Sequence, residues 1–201
     1  MKDNRYELFP IVDEEGHFLG TISRGHAHDG CKILHPVVHL HVINDNGDIY
    51  LQRRPEWKDI QPGKWDTACG GHVDLGEHIE DALRREVKEE IGISDFVPEF
   101  VTRYAYESTT EYELVYVYLC HYRGTIVPDR DELDGGRYWS IHEIEQAIGN
   151  GILTPNFESE YVTYLQPYLV HHKRKATFKI EVQCFSIEKH PSRCGADVLG
   201  A

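Results

Sequence analysis

GGHVDLGEHIEDALRREVKEEIGI, residues 70–93, decides how this chain is read. Advancing about 100° per residue from Glu77 to Ile91 gathers Ile79, Ala82, Leu83, Val87 and Ile91 on one apolar helix face. Glu86 and Glu90, at i and i+4, fall inside that face between Ala82 and Leu83, and Glu89 stands at its border. A buried carboxylate is costly unless it is paired or bound to a metal. Three within about a third of the circumference also repel one another. A solvated face with an Arg85–Glu89 pair explains those two residues, but not Glu86 and Glu90. Oxygen-rich carboxylate clusters suit hard divalent cations, Mg2+ first and Mn2+ next.

The 201 residues suffice for one domain with a core and a tail. A formal net charge of −13 argues against nucleic acid or an anionic membrane as partner, since either would repel such a surface. A small anionic substrate fits if cations collect locally. Five scattered cysteines without a CxxC suit free thiols in a reducing compartment. The start carries no apolar signal core, and no run approaches the ~20 apolar residues of a membrane helix. These features predict a cytoplasmic protein. Its oligomeric state stays open, a homodimer included.

Along the chain, ELFPIVDEEGHFLGTISR reads as two short strands about the turn Asp13 to Gly16. HPVVHLHVINDNGDIYLQRR reads as a hairpin about Asn44 to Gly47. PEWKDIQPGKW is a loop, and DTACGGHV a short strand entering the helix. Strands follow at about 100–107 and 111–122. Ser140 and Glu143 form a capping box, and Gly149 ends that helix. PNFESEYVTYLQPYLV is a last helix limited by Pro167. The domain is expected to span 1–171, with 172–201 an extension that takes no assigned chemistry.

The helix segment resembles the Nudix box, Gly-x5-Glu-x7-Arg-Glu-Φ-x-Glu-Glu-x-Gly-Φ, with Φ aliphatic. Gly71, Glu77, Arg85, Glu86, Val87, Glu89, Glu90, Gly92 and Ile93 fill every fixed position. The resemblance implies an α+β protein, the Nudix α/β/α sandwich with a mixed, curved sheet between helices. It further implies a hydrolase that cleaves a nucleoside diphosphate linked to another moiety. Carried over by position, Glu86 and Glu90 are the main metal ligands, with Glu89 a further ligand or a water-mediated partner. Glu77 supports the metal shell, Arg85 orients the carboxylates, and Gly70 and Gly71 bring backbone close to the metal. The implied cofactor is Mg2+, with Mn2+ as a substitute. The general base is left open between Glu89 and a carboxylate outside the box.

The flanks resemble the type-1 isopentenyl-diphosphate isomerases and the hydrolases related to them. By that resemblance His28, His35, His72, Glu111 and Glu113 match a second metal site, and Arg54 and Lys58 match positions that hold a diphosphate. Two departures count against isomerisation. The isomerase cysteine falls at Gly70; Cys69 is one place early and so on the opposite strand face. The Nudix box is also complete here, where the isomerases have a degenerate one. Three functions compete: a metal-dependent diphosphate hydrolase, an isomerase, and a non-catalytic module that senses a nucleotide. His39 and His41, alternating with Val38, Leu40 and Val42, read as structural. Trp57 and Trp65 are candidates for base stacking or for a core or lid role.

Overall fold

The computed structural model describes residues 4–58 and 60–171. The expectations about 172–201 lie outside the described residues. Strand β1 (Leu8–Val12) pairs antiparallel with β2 (Phe18–Ser23) as a separate two-stranded ribbon. Its turn is closed by Gly16 at φ 84°, a conformation that favours glycine. One helical turn, α1 (Arg24–Ala27), follows and was not legible in the sequence.

The main sheet is built on β3 (Leu34–Ile43), which runs parallel to β8 (Tyr112–His121). Around this pair β4 (Ile49–Arg53), β5 (Trp65–Asp66), β6 (Cys69–His72), β7 (Glu99–Glu107) and β9 (Gly136–Trp139) all join antiparallel. The sheet is therefore mixed, as expected. Strand β9 escaped the sequence reading, being four residues long and beginning on the second of two glycines. The turn between β3 and β4 holds because Asn44 Oδ1 accepts from the amides of Asn46 and Asp48, each at 2.9 Å.

Helices cover both faces. Helix α2 (Ile79–Ile91) presses Ala82, Leu83, Val87 and Ile91 onto Val38, Leu40 and Val42. On the other face, α3 (Ile141–Ala147) and α4 (Pro155–Glu160) set Ile144, Ala147 and Phe157 against Ile43, Ile49 and Leu119. This is an α+β fold with its sheet between helices. Helix α2 starts at Ile79 with His78 as N-cap, two residues later than expected. Glu77 stays in the preceding loop, where its carboxylate accepts from the Asp74 amide at 3.1 Å. The last helix also departs from expectation. A π-helical turn, Tyr161–Leu165, follows α4, and helix continues over 166–171, past Pro167. Gln166 N–H donates to Tyr161 O, five residues back. The widened turn lies where Pro167 has no N–H to give, so the proline does not end the helix.

Candidate active site

The strand β6 is the hinge of the site. Its register with β3 sets Leu40 against Cys69, His39 against Gly70, Val38 against Gly71 and Val37 against His72. Alternation sends Cys69 into the core beneath α2, while Gly70 and His72 belong to the opposite face. Gly71 is required by space: a Cβ there would lie 2.0 Å from Glu86 Cδ. The Glu86 carboxylate thus rests directly on strand backbone. Glu90 comes to the same strand, its Oε2 accepting from the Gly70 amide at 3.3 Å.

Arg85 organises this corner. Its Nε and one terminal nitrogen grip the two oxygens of Glu77 at 2.9 and 2.8 Å, a bidentate pair. It also donates to Glu86 Oε1 at 2.7 Å and to the His72 carbonyl at 3.0 Å. That hydrogen bonding holds Glu77 below the usual carboxylate range. Glu89 lies 3.6 Å from Arg85 and is 62% exposed, at the rim. Burial pushes Glu86 up to about 7, against the pull of Arg85. Burial, and then the neighbouring Glu86, push Glu90 up to about 8. Two buried like charges on one glycine strand are an arrangement that a divalent cation would relieve, so the donor set fits a hard metal.

Histidines gather on the other face. Among the described residues, His28, His35 and His72 each bring one ring nitrogen within 4.8 Å of the others. His28 Nε2 lies 3.0 Å from His72 Nε2 and 3.4 Å from Glu111 Oε1. His35 donates its Nδ1–H to the Ile33 carbonyl at 2.9 Å, which leaves Nε2 as a buried acceptor without a partner among the described residues. That is how a histidine ligand is oriented by its outer hydrogen bond. Burial lowers His35, and burial followed by the field of Arg24 lowers His72 well below the ordinary value. Both rings are therefore neutral and able to ligate. Phe9 stacks on His72, centroids 4.3 Å apart, fixing the ring from the β1 side. Glu113 stands level with His35 on the parallel neighbour β8. Burial, and then Glu111, push it up to about 8. Among the described residues the α2 glutamates form no comparable three-residue cluster of ligand atoms; Glu86 is turned to Arg85 and Glu90 to Gly70.

The two cations singled out in the sequence border these groups, each already paired. Arg54 lies 3.4 Å from Asp66, and its charge acts on Glu111 and Glu113. Lys58 lies 3.1 Å from Glu132, and its charge acts on Glu90. Trp57 is exposed, with Lys58 Nζ 4.8 Å from its ring centroid. Trp65 instead packs edge-on against Trp139 within the α3–α4 core. Cys69 is buried; burial and then Glu90 raise its thiol well above the ordinary value, so it is held protonated and inert.

Sequence reasoning missed Glu160. It is fully buried on α4, where its Oε1 lies 2.5 Å from His41 Nε2. Its Oε2 meets His39 Nδ1 at 3.0 Å and the Tyr104 hydroxyl at 2.6 Å. Burial would raise Glu160, but the two histidines more than offset it and the net shift is down. Burial would lower His39, but Glu160 outweighs it and His39 is raised to about 9. The signal was present: a glutamate beside Phe157 and Tyr161 on an apolar helix face, and two histidines alternating on a buried strand.

Among known proteins, the family model described as NUDIX domain matches residues 33–157. An isopentenyl-diphosphate Delta-isomerase of Mycolicibacterium vanbaalenii is 33% identical over 133 residues, 63% of this chain and 74% of that one. A protein of Streptomyces coelicolor named an uncharacterised Nudix hydrolase is 29% identical over 159 residues, 77% of this chain and 86% of its own. The crystal structure of the MutT protein of Methanosarcina mazei superposes with a TM-score of 0.55 at 26% identity, covering 64% of this chain and 91% of that one.

Proposed function

Because this chain belongs to the NUDIX domain family, we propose that it is a metal-dependent hydrolase that cleaves the diphosphate bond of a nucleoside diphosphate derivative. One observation carries the reading: Glu86 and Glu90 are drawn from an apolar helix face onto the Gly70–Gly71 strand, where both are held above the usual carboxylate value. Glu86 and Glu90 would hold Mg2+, with Mn2+ as a substitute, and Gly70 offers backbone beside them. When bound, the ion neutralises charge on the diphosphate oxygens and acidifies the attacking water. Arg85 and Glu77 hold the carboxylates in place. Glu89, at the exposed rim, would be one candidate to take a proton from that water, a carboxylate outside the box the other. Arg54 and Lys58 would exchange their present partners for the substrate's diphosphate.

A second reading draws on the relatives named as isomerases and on the cluster of His28, His35 and His72 with Glu111. Isopentenyl-diphosphate isomerisation needs a thiol near Glu113 for proton transfer at carbon. Cys69 and Glu113 project from opposite faces of the sheet, which favours hydrolysis. The non-catalytic sensing module is disfavoured by a box that keeps all its carboxylates.

The test is a turnover screen of nucleoside diphosphates, nucleotide sugars, dinucleoside polyphosphates and isopentenyl diphosphate, with Mg2+, Mn2+ or chelator. Metal-dependent cleavage of a nucleotide is expected, lost in Glu86→Gln and Glu90→Gln while the fold survives. Undiminished turnover in either variant at saturating Mg2+ would remove the assignment. Arg54→Ala and Lys58→Ala should raise KM more than they lower kcat, since they hold the diphosphate in ground and transition states alike. A loss confined to kcat in both would move them into the chemistry.

A further inference from the structure

Glu160, His41, His39 and Tyr104 form a buried assembly that takes no part in the scheme above. We propose that His39 is a substrate-contacting residue whose Nε2 edge meets a phosphoryl oxygen, and that Glu160 is the positioning residue that holds its ring. This rests on the hydrolase reading and adds a contact to the same pocket.

The two histidines differ in how their ring nitrogens are bonded. The Thr67 hydroxyl gives its proton to the Leu40 carbonyl at 3.0 Å, so its oxygen must accept from His41 Nδ1, 3.3 Å away. His41 faces the Glu160 carboxylate through its other nitrogen, at 2.5 Å, and is fully buried. Both ring nitrogens of His41 are therefore engaged, Nδ1 by Thr67 and Nε2 by Glu160. The Tyr104 hydroxyl also donates to Glu160. His39 is bound to Glu160 through Nδ1 only. Its Nε2 has no hydrogen-bond partner among the described residues, and the side chain keeps 12% of its surface open. A purely structural histidine would close that edge against a partner.

The free edge lies against Gly70, on the sheet face opposite the α2 carboxylates, and the two groups meet only at that residue. Gly70 faces His39 across the β3–β6 ladder, and a Cβ on Gly70 would lie 3.4 Å from Nε2 and 3.2 Å from Cδ2. The missing side chain leaves the imidazole edge uncovered. The same glycine's amide meets Glu90 at 3.3 Å, so His39 and Glu90 flank one residue. Glu113 and Asp66 act on His39 electrostatically, and Asp66 lies 3.4 Å from Arg54. An anionic oxygen held near Arg54 would find the ring within the same group of charges. The π-helical turn begins immediately after Glu160, a feature often kept at functional sites.

The experiment measures binding of methylenediphosphonate, a diphosphate that cannot be hydrolysed, to the Mg2+-loaded full chain by calorimetry. It follows the 15N shift of His39 Nε2 in the same titration. His39→Phe should weaken binding about tenfold to a hundredfold, the range of a hydrogen bond to a charged group. Its thermal midpoint should fall, because Glu160 loses one of its two histidine partners, so the affinity is read at a temperature where the variant is folded. Glu160→Gln should weaken binding less and broaden or move the His39 resonance, because the ring remains but is held less firmly. In wild type the Nε2 signal should shift on binding. Unchanged affinity in both variants, or an Nε2 shift that ignores the ligand, overturns the proposal and leaves the network structural, even where the variants melt earlier. Wild type that binds no diphosphate and turns over no nucleotide overturns the hydrolase reading together with this one. Wild type that hydrolyses nucleotides with an unmoved His39 overturns this one alone.

Discussion

At Gly71 a hydrogen is all that fits, because the Glu86 carboxylate fills the space where a side chain would start. Gly71→Ala is therefore expected to displace Glu86 from the strand. Overpacking of this kind costs about 1–3 kcal/mol, and turnover should fall with it. An alanine variant with full activity and an unchanged melting midpoint would show that Glu86 has room elsewhere. The same residues set a pH dependence. Burial holds Glu86 near 7 and Glu90 near 8, above the ordinary 4.5. Without metal, the folded chain takes up these protons more readily than the unfolded one. The stability tied to them is fully present below about pH 4.5 and is lost as pH rises through about 7 to 8. In chelator, the melting midpoint should decline across that window. Saturating Mg2+, if held by these carboxylates in the folded state, should raise the midpoint more at about pH 8.5 than at about pH 5.5. A metal-induced gain that does not grow between the two would detach these carboxylates from the metal.

Individual elements hold by local devices that can be tested one at a time. Helix α3 begins with Ser140 Oγ accepting from the Glu143 amide at 3.2 Å, while Glu143 accepts from the Ser140 amide at 2.8 Å. That closes two amides that the helix itself cannot bond. Ser140→Ala should cost about 1 kcal/mol, a fall in midpoint of about 2–4 °C for a chain of this size. Turnover should not change, since α3 packs on the face away from α2. An unmoved midpoint would mean that packing of Ile144 and Ala147 fixes the helix without its cap. Strand β6 is the counterpart at the site. Four residues long, it is held by register against β3, and that register alone assigns Cys69 to one face and Gly70 to the other.

For the molecule as a whole, the two sheet faces carry different chemistry. Carboxylates approach from α2, histidines line the opposite face, and the β1–β2 ribbon brings Phe9 onto His72. Cys69 belongs to the α2 side, so its thiol is not presented to Glu113. Cys69→Ser is expected to hydrolyse diphosphates within a few-fold of wild type, and neither form should isomerise isopentenyl diphosphate. Isomerisation by wild type that vanishes in the serine variant would reverse the order of the two readings. No helix among the described residues is long and apolar enough to cross a membrane.

The sequence by itself determined what local spacing controls. Glu86 and Glu90 among Ala82 and Leu83, the Ser140–Glu143 box, the Asn44–Gly47 turn and the strand alternation that separates Cys69 from Gly70 all follow from periods of 3.6 and 2. Those periods act within a few residues and need no partner. The matches of His28, His35 and His72 came from resemblance, but their meeting depends on α1, β3 and β6 converging from 44 residues apart for His28 and His72 alone. Only the tertiary structure decided that His35 keeps an unpaired nitrogen and that Arg85 reaches back to Glu77. Only it showed Glu160, 121 residues from His39, bonded to His39, His41 and Tyr104. A buried charge reveals in the sequence that it needs a partner; which partner it finds is settled when distant segments pack and exclude water.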